Sequence, residues 1–448
     1  MPNTLVLIHG YSDAGKSFAT WRDRLKDRYK RTEQISICDY VSLTNEVTIE
    51  DLAEGFDFAL SNRPGLKNDE DFDAIVHSTG ILVIRAWLTT YPARRSRLKH
   101  LIGIAPATFG SPLAKKGRSW IGAIFKGSKH LGPDFLAAGD KILDGLELAS
   151  PFTWSLAEID MLDDTIYYGT TDGTPYVHIF CGTDGYGGLE SFVNSPGSDG
   201  TVRQAGAGFN VRKIVLDLTK NQSILNPGNL KKKVSRWHLD TWKNANIPVH
   251  LIDGVNHGTI LTDPTDELVG LVRDALDVDD AKSFAAWLKA ADAPGRIANT
   301  TKGRWQQFIV RVFDERRDPV TDYNLQLFTD RKDAGTRIPE FDKTVEVYSK
   351  DSSFRCFLVD LDHFKQTKTL WLSVLASSGS EHIEYESFQM DPEIKSGPVT
   401  SRSEWDAWLD LSGLMKQDGS RGFMSPFTTT LVEIYLDREP SDELVKLT

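Results

Sequence analysis

The stretch "DFDAIVHSTGILVIRAWL", residues 71–88, has the pattern of a strand, a tight turn and a helix in succession. An apolar run ends at Val76, Ser78 follows, and a glycine two positions later opens a helical pattern. A serine in this kind of turn forms a nucleophile elbow, which raises the hydroxyl at the edge of a sheet and aims the next N–H at a developing oxyanion. We therefore predict that Ser78 is a nucleophile and that Thr79 supplies an oxyanion-hole N–H. Val76 departs from the pattern, because this position is normally a glycine.

The sequence on both sides of the elbow alternates short apolar runs with amphipathic ones. This alternation indicates a mostly parallel sheet with helices on both faces. The segment TGILVIRAWLTTY, residues 79–91, is apolar on almost every side and predicts a buried helix. The predicted strands are residues 4–8, 34–39, 72–76, 98–104, 176–181, 211–216 and 247–252.

A serine nucleophile needs a base and an orienting acid, here expected in the chain order Ser, Asp, His. His257 lies on a glycine-bearing loop after the last of these strands, within IPVHLIDGVNHGTIL, residues 247–261. Asp199 lies on a glycine-rich loop, NSPGSDGTVRQAGA, residues 194–207, and Asp184 is the alternative acid nearer to a strand end. A histidine that faces water and an Asx turn beside glycine are the structural alternatives. We predict His257 as the base and Asp199 as the acid.

Together these motifs resemble the α/β-hydrolase superfamily, most closely its lipase and esterase branch. The resemblance covers about the first 280 residues. It implies an α/β-hydrolase fold with a helical lid or cap insertion, a triad of Ser78, Asp199 and His257, and an oxyanion hole formed by the Tyr11 and Thr79 N–H groups. It also implies cleavage of carboxylic esters, lipid or acyl esters above all, through an acyl-enzyme and without a cofactor. The matching segments are LVLIHGY (5–11), IVHSTG (75–80), IGIAPATFGSPLA (102–114), GSDGTV (197–202) and VNHGTI (255–260).

The loop after the first strand also admits a second interpretation. The segment GYSDAGKS, residues 10–17, matches the GxxxxGK[ST] phosphate loop, with Lys16 as the phosphate-binding residue. Asp217, at the end of RKIVLD, would then hold magnesium through water. We favour the serine hydrolase because RKIVLD is a common strand pattern and a lone phosphate-loop match can arise by chance. A nucleotide hydrolase and a non-catalytic, hydrolase-like binding module remain the alternative hypotheses.

A long insertion, residues 108–171, precedes the acid loop. Part of it, LAKKGRSWIGAIFKGSKHL (residues 113–131), mixes basic residues with apolar ones at helical spacing: Trp120, Ile121, Ile124 and Phe125. This pattern predicts a lid that shapes an apolar acyl pocket and makes transient contact with a lipid surface. An ordinary amphipathic helix over the cleft is the alternative.

From about Arg304 the pattern changes to short strands separated by turn residues, which predicts a β sandwich. The expected domains are residues 1–295 and 304–448, joined by a polar segment with Gly and Pro. By analogy, the second domain is expected to have an accessory binding role. Asp314, Asp318 and Asp322 could form a calcium-binding rim, although solvated turns explain them better.

Composition limits the remaining classes of function. A chain of 448 residues predicts two domains, and a net charge of -11 argues against a nucleic-acid partner. No apolar run reaches the roughly 18 residues that span a bilayer, and the first residues lack a signal-peptide pattern, so we expect a cytoplasmic protein without a transmembrane segment. Cys38, Cys181 and Cys356 fit neither a zinc spacing nor a disulfide framework, so we predict free thiols and no metal.

Overall fold

The computed structural model describes most of the chain. The residues outside the description are 1, 3, 11–16, 36–45, 68, 117–139, 170–172, 188–193, 229–234, 292–303, 330–335, 338–344, 365–368, 389–397, 401–407, 416–422, 443 and 446–448. Internal contacts divide the chain into two compact units. The first comprises Met1–Asn210 and Trp242–Gly303, and the second comprises Val211–Thr241 and Arg304–Thr448.

The first unit is built on a parallel sheet. Its strands are β1 Thr4–Ile8, β2 Arg31–Ile35, β3 Phe72–His77, β4 Leu98–Ile104, β5 Tyr176–Gly182 and β8 Val249–Ile252. The strands β6 Val211–Asp217 and β7 Trp237–Thr241 belong to the second unit. The six strands lie in the order β2-β1-β3-β4-β5-β8 and every neighbouring pair is parallel. The strand β3, which leads into Ser78, therefore lies inside the sheet, where its carboxyl end is flanked on both sides.

Helices cover both faces of this sheet. They are α1 Ala19–Leu25, α2 Ile49–Asn62, α3 Gly80–Thr90, α4 Asp140–Leu146, α5 Pro151–Ala157, α6 Gln204–Ala207, α7 Thr259–Thr262, α8 Asp266–Leu276 and α9 Ala281–Ala291. Shorter turns are the 3-10 helices Pro92–Arg97 and Ala114–Lys116 and the π-helix Glu158–Leu162. One core cluster joins α1, α7 and α8 to one face of the sheet. On the other face, the ring of Phe72 meets Phe56 of α2 and Trp87 of α3.

The helix α3 is buried along almost its whole length, as its sequence pattern predicts. Every residue from Gly80 to Leu88 is buried. A helix that is apolar on all sides lowers its free energy by packing against protein on all sides. This burial holds the residues at the start of α3, next to Ser78, in a fixed place.

The strand β6 corrects one sequence-based expectation. Residues 211–216 were expected to belong to the N-terminal sheet, and they do form a strand, β6 Val211–Asp217. However, β6 pairs in parallel with β18 Thr429–Pro440 and antiparallel with β7 Trp237–Thr241, all in the second unit. Side-chain alternation shows that a segment is a strand but does not identify its pairing partner.

The second unit consists mainly of strands in two sheets. Besides β6, β7 and β18, the strands are β9 Trp305–Asp314, β10 Asp322–Thr329, β11 Thr336–Arg337, β12 Val345–Val347, β13 Phe354–Asp360, β14 Trp371–Ser377, β15 Ile383–Phe388, β16 Pro398–Thr400 and β17 Trp408–Asp410. The 3-10 helix Leu361–Phe364 and the helix α10 Ser412–Met415 complete the unit. One sheet has the order β11-β10-β14-β17; the other has the order β12-β13-β9-β18-β15-β16, with β6 on β18 and β7 on β6.

A single apolar cluster contains residues of both sheets, for example Val310 and Ile434 from one and Leu325 and Leu372 from the other. The second unit is therefore a β sandwich, as the sequence predicts. In the described part of the chain, no helix has both the length and the apolar character needed to cross a membrane.

Candidate active site

Ser78 occupies a strained turn between β3 and α3. Its φ is 53°, in the left-handed region that residues other than glycine rarely adopt. Two backbone hydrogen bonds hold this turn, since Ser78 N donates to Ile104 O at 3.4 Å and Ala107 N donates to Ser78 O at 3.1 Å. Strain of this kind persists only when the surroundings overdetermine it, and it occurs preferentially at functional sites.

Glycines on either side allow other chain segments to approach this turn closely. A Cβ added at Gly10, just after β1, would lie 2.6 Å from Ser78 Cβ, and one added at Gly80 would lie 2.7 Å from Ile8 O. Gly103 of β4 pairs in register with Val76. Val76, which departs from the usual elbow pattern, therefore pairs with a glycine on the neighbouring strand. The close approaches that the elbow requires occur at Gly10 and Gly80.

His257 and Asp199 form a buried, hydrogen-bonded pair. His257 Nδ1 lies 2.8 Å from Asp199 Oδ2, and His257 N donates to Asp199 O at 3.0 Å. Both side chains are fully buried. In this arrangement the carboxylate accepts the Nδ1–H of the imidazole, which fixes the tautomer and leaves Nε2 as the basic nitrogen.

The Asp199 carboxylate is itself held by its own loop. Its Oδ1 accepts the N–H groups of Thr201 at 3.0 Å and Val202 at 2.8 Å, and the thiol of Cys181 donates to Oδ2 at 3.8 Å. Burial raises the pKa of the Cys181 thiol well above its ordinary value, and the charge of Asp199 adds to this effect. The thiol therefore remains protonated and able to donate. These contacts hold the carboxylate in a fixed orientation toward the imidazole of His257.

His77, the residue before the nucleophile, connects the elbow to the histidine loop. Its Nε2 lies 3.0 Å from His257 O, and the two rings are 4.6 Å apart. Burial lowers the pKa of His77 well below its ordinary value, and the neighbouring rings of His257 and His9 lower it further. The ring is therefore neutral, with Nε2–H as the donor. The sequence reasoning missed this role, although the signal was present in a histidine inside the elbow itself.

The structure thus brings Ser78, Asp199 and His257 to one edge of the sheet. In the described part of the chain, Ser78 Oγ and His257 Nε2 do not share a hydrogen bond. This link is often long without substrate and shortens in the complex. Asp184, the alternative acid, instead accepts a hydrogen bond from Thr183 Oγ1 at 3.0 Å, and its N–H donates to Val255 O.

Several sequence-predicted residues lie outside the described residues. They are the oxyanion-hole residue Tyr11, the lid residues Trp120, Ile121, Ile124 and Phe125, the phosphate-loop residue Lys16, and Cys38. Thr79 is described and buried at the start of α3. In the second unit, Asp314 Oδ1 accepts the N–H groups of Arg316 and Asp318, which is the geometry of a turn. Among the described residues, no group of three or more potential ligands could hold a metal ion.

A second buried network, missed by the sequence reasoning, anchors α3. Arg85 forms two hydrogen bonds with Asp160, at 2.8 and 2.9 Å, and both side chains are fully buried. Arg85 Nη1 donates to Thr108 O at 2.7 Å, and Tyr168 OH donates to Asp160 at 2.6 Å. Thr108 Oγ1 in turn donates to Ala207 O. A lone arginine in an apolar helix was the available signal, because a buried charge requires a partner.

The six-stranded parallel sheet with helices on both faces, and a strained serine directly after an inner strand, is the architecture of the α/β-hydrolase fold. No protein-family model matches the chain, and no curated protein matches it in sequence. The fold is similar to that of phospholipase PlaB from Legionella pneumophila, with a TM-score of 0.73 for its complex with thio-NAD and 0.72 for the protein alone. In both cases the identity is 20%, and the match covers 99% of this chain and 96% of the other. Mature lipase BlEst2 from Bacillus licheniformis matches with a TM-score of 0.36 and 13% identity, over 58% of this chain and 87% of that one.

Proposed function

We propose that this protein is a serine ester hydrolase that cleaves carboxylic esters of lipids or other acyl compounds. One observation carries the proposal: the fully buried hydrogen bond between Asp199 and His257 lies beside a strained serine. Burying a carboxylate and an imidazole costs free energy unless the two groups are well hydrogen-bonded to each other. The position of this pair next to a nucleophile elbow favours a catalytic role over a purely structural one.

In the proposed mechanism, Ser78 Oγ attacks the ester carbonyl while His257 Nε2 takes the hydroxyl proton. Asp199 stabilises the imidazolium through the proton on Nδ1. The tetrahedral intermediate then collapses, the C–O bond to the alcohol breaks, and His257 returns the proton to the departing oxygen. Water then attacks the carbonyl of the acyl-enzyme, with His257 again taking and returning the proton. This step releases the carboxylic acid and restores Ser78.

We place the developing oxyanion against the Thr79 and Tyr11 N–H groups. Thr79 lies at the start of α3, where backbone N–H groups have no partner within the helix and the helix dipole favours negative charge. The contact between Gly10 and Ser78 supports the same arrangement, since it brings the loop that follows β1 against the nucleophile.

PlaB, with which this chain shares its fold, is a phospholipase, so phospholipids are included among the esters to be tested. We propose that Trp120, Ile121, Ile124 and Phe125 line the acyl pocket as a lid. Polar replacements of Trp120 and Phe125 are expected to reduce activity on long acyl chains more than on short ones, and equal losses would contradict the assignment.

The test of the proposal is labelling with a fluorophosphonate probe, together with hydrolysis of p-nitrophenyl esters of increasing chain length and of phospholipid vesicles. Ser78→Ala is expected to abolish labelling and to lower kcat by at least about 10³-fold. Ser96→Ala, at an exposed serine, is the control and is expected to change neither. Labelling that persists in Ser78→Ala would refute the assignment. ATP hydrolysis that is lost in Lys16→Ala would support the nucleotide hydrolase instead, and no labelling or turnover at all would support a binding module.

A further inference from the structure

The hydroxyl of Thr79 is buried next to the nucleophile, and among the described residues no group forms a hydrogen bond with its Oγ1. The residue is 1% exposed. Two other buried threonines of the same unit are satisfied, since Thr108 Oγ1 donates to Ala207 O at 2.8 Å and Thr153 Oγ1 donates to Ser150 O at 3.1 Å. A buried hydroxyl without a partner destabilises a fold, so it requires an explanation.

The Thr79 side chain does not cap the helix α3. Thr79 occupies the N-cap position of α3, where a threonine side chain would ordinarily accept an N–H from the first turn. No such bond forms, because the residue has helical φ and ψ of -60° and -22° rather than the extended conformation of a capping residue. Position 79 therefore carries a hydroxyl that contributes neither to the helix cap nor to another protein contact in the described chain.

The position of this hydroxyl is restricted by covalent geometry. Whatever the side-chain rotamer, Oγ1 lies within about 3.7 Å of the backbone nitrogen of the same residue. That nitrogen is the one that we assign to the oxyanion hole. Any substrate oxygen that accepts a hydrogen bond from the Thr79 N–H is therefore near the hydroxyl as well.

We propose that the Thr79 hydroxyl donates a hydrogen bond to the substrate's carbonyl oxygen as it becomes an oxyanion. Thr79 is then a catalytic residue with two donors, its N–H and its O–H. The proposal rests on the proposed function and adds a side-chain donor to it. It also accounts for the buried hydroxyl, because a preorganised donor in a catalytic site is satisfied only when the charged oxygen is present.

The test compares Thr79→Val, which removes the hydroxyl and keeps the β-branched shape, with Thr79→Ser, which keeps the hydroxyl. The loss of one oxyanion-hole donor lowers kcat by about 10²- to 10³-fold, so we expect a loss of this size in Thr79→Val with KM changed less than about threefold. Thr79→Ser is expected to recover most of the lost kcat. A trifluoromethyl ketone, whose adduct with Ser78 carries an oxyanion, should bind Thr79→Val more weakly by a similar factor.

Stability separates this role from a structural one. Because the hydroxyl has no partner to lose, the Tm of Thr79→Val is expected to equal or exceed that of the parent protein. Thr4→Val is the matched control: Thr4 is buried at the amino end of β1 and its hydroxyl donates to Gly65 O, so this variant should lose stability and keep kcat.

Two results would overturn the inference. One is a Thr79→Val enzyme that keeps kcat within about threefold of the parent while Ser78 is still labelled by the fluorophosphonate. The other is a loss of activity matched by a fall in Tm, which would indicate a hydroxyl bound to structural water. If the parent protein is neither labelled nor active on esters, the proposed function fails first and the inference fails with it.

Discussion

His178 shows how a single buried side chain can make the stability of the first unit depend on pH. It lies on β5 with its ring 4.2 Å from that of Trp287 and 5.6 Å from that of Phe284. Within the described chain neither ring nitrogen forms a hydrogen bond. Burial lowers the pKa of His178 well below its ordinary value, and His100 and His250 lower it further. The folded protein therefore keeps this ring neutral where the unfolded chain would protonate it.

The sign of the effect follows from linkage. Because the pKa in the folded state is depressed, stability is present above the unfolded value of about 6.5 and is lost as the pH falls below it. One such group changes the free energy of unfolding by at most about 1.4 kcal/mol per pH unit. We expect His178→Phe to raise stability relative to the parent by about 1–2 kcal/mol at pH 5, with a smaller difference at pH 8.

Urea unfolding at the two pH values measures the effect of His178→Phe. Phe56→Leu, at a buried aromatic residue of the same unit that does not titrate, is the control and should change stability equally at the two pH values. A difference between the His178→Phe variant and the parent that is the same at pH 5 and pH 8 would show that packing, and not protonation, is responsible.

At the level of elements, the helix α3 depends on a charge that its apolar sequence does not explain. The Arg85–Asp160 pair is fully buried and is joined by two parallel hydrogen bonds. Removing one partner of such a pair leaves an uncompensated buried charge and costs about 3–5 kcal/mol. We expect a loss of stability in that range for Arg85→Met, and a smaller loss for Arg85→Met with Asp160→Leu, because the double variant leaves no buried charge.

The free energies of unfolding of the parent, Arg85→Met, Asp160→Leu and the double variant complete a double-mutant cycle, which gives the coupling energy of the two charges. Arg24, which is paired with Asp266 at the surface, provides the comparison, and Arg24→Met should change stability by no more than about 1 kcal/mol. If the double variant is as unstable as the sum of the single ones, the two charges are not coupled and the network does not anchor α3.

At the level of the whole molecule, the strand β6 shows that the chain order and the structural units differ. A chain that ends at residue 303 would contain β6 but lack β18, its parallel partner. The buried side chains Ile214 and Leu216 would then be exposed, together with an unpaired strand edge. We expect this truncated chain to aggregate, as judged by size-exclusion chromatography.

The matched variant of this truncation also replaces residues 211–241 by a short linker. Asn210 makes two hydrogen bonds with the backbone of Ile247, at 2.8 and 2.9 Å, so the chain before the excised segment already lies close to the chain after it. This variant is expected to be monomeric and to unfold cooperatively. A soluble, cooperatively unfolding chain of residues 1–303 would contradict the assignment of β6 to the second unit.

Local patterns in the sequence predict one part of this structure. The strands β1, β3, β4, β5 and β8, the buried helix α3, and the candidate residues Ser78, Asp199 and His257 all follow from periodicity and from motifs of a few residues. Such patterns predict the conformation of a segment and show which residues follow the end of a strand. Residues close together in the chain determine both features.

The features that join residues far apart in the chain follow only from the folded structure. The partner of β6 is a strand more than 200 residues later, with Val211 opposite Thr429, and alternation is the same whichever sheet a strand joins. The hydrogen bond of His77 to the histidine loop, the pairing of Arg85 with Asp160 and the contact of Gly10 with Ser78 are likewise long-range. Contacts of this kind depend on the packing of whole elements, which no single segment of the sequence specifies.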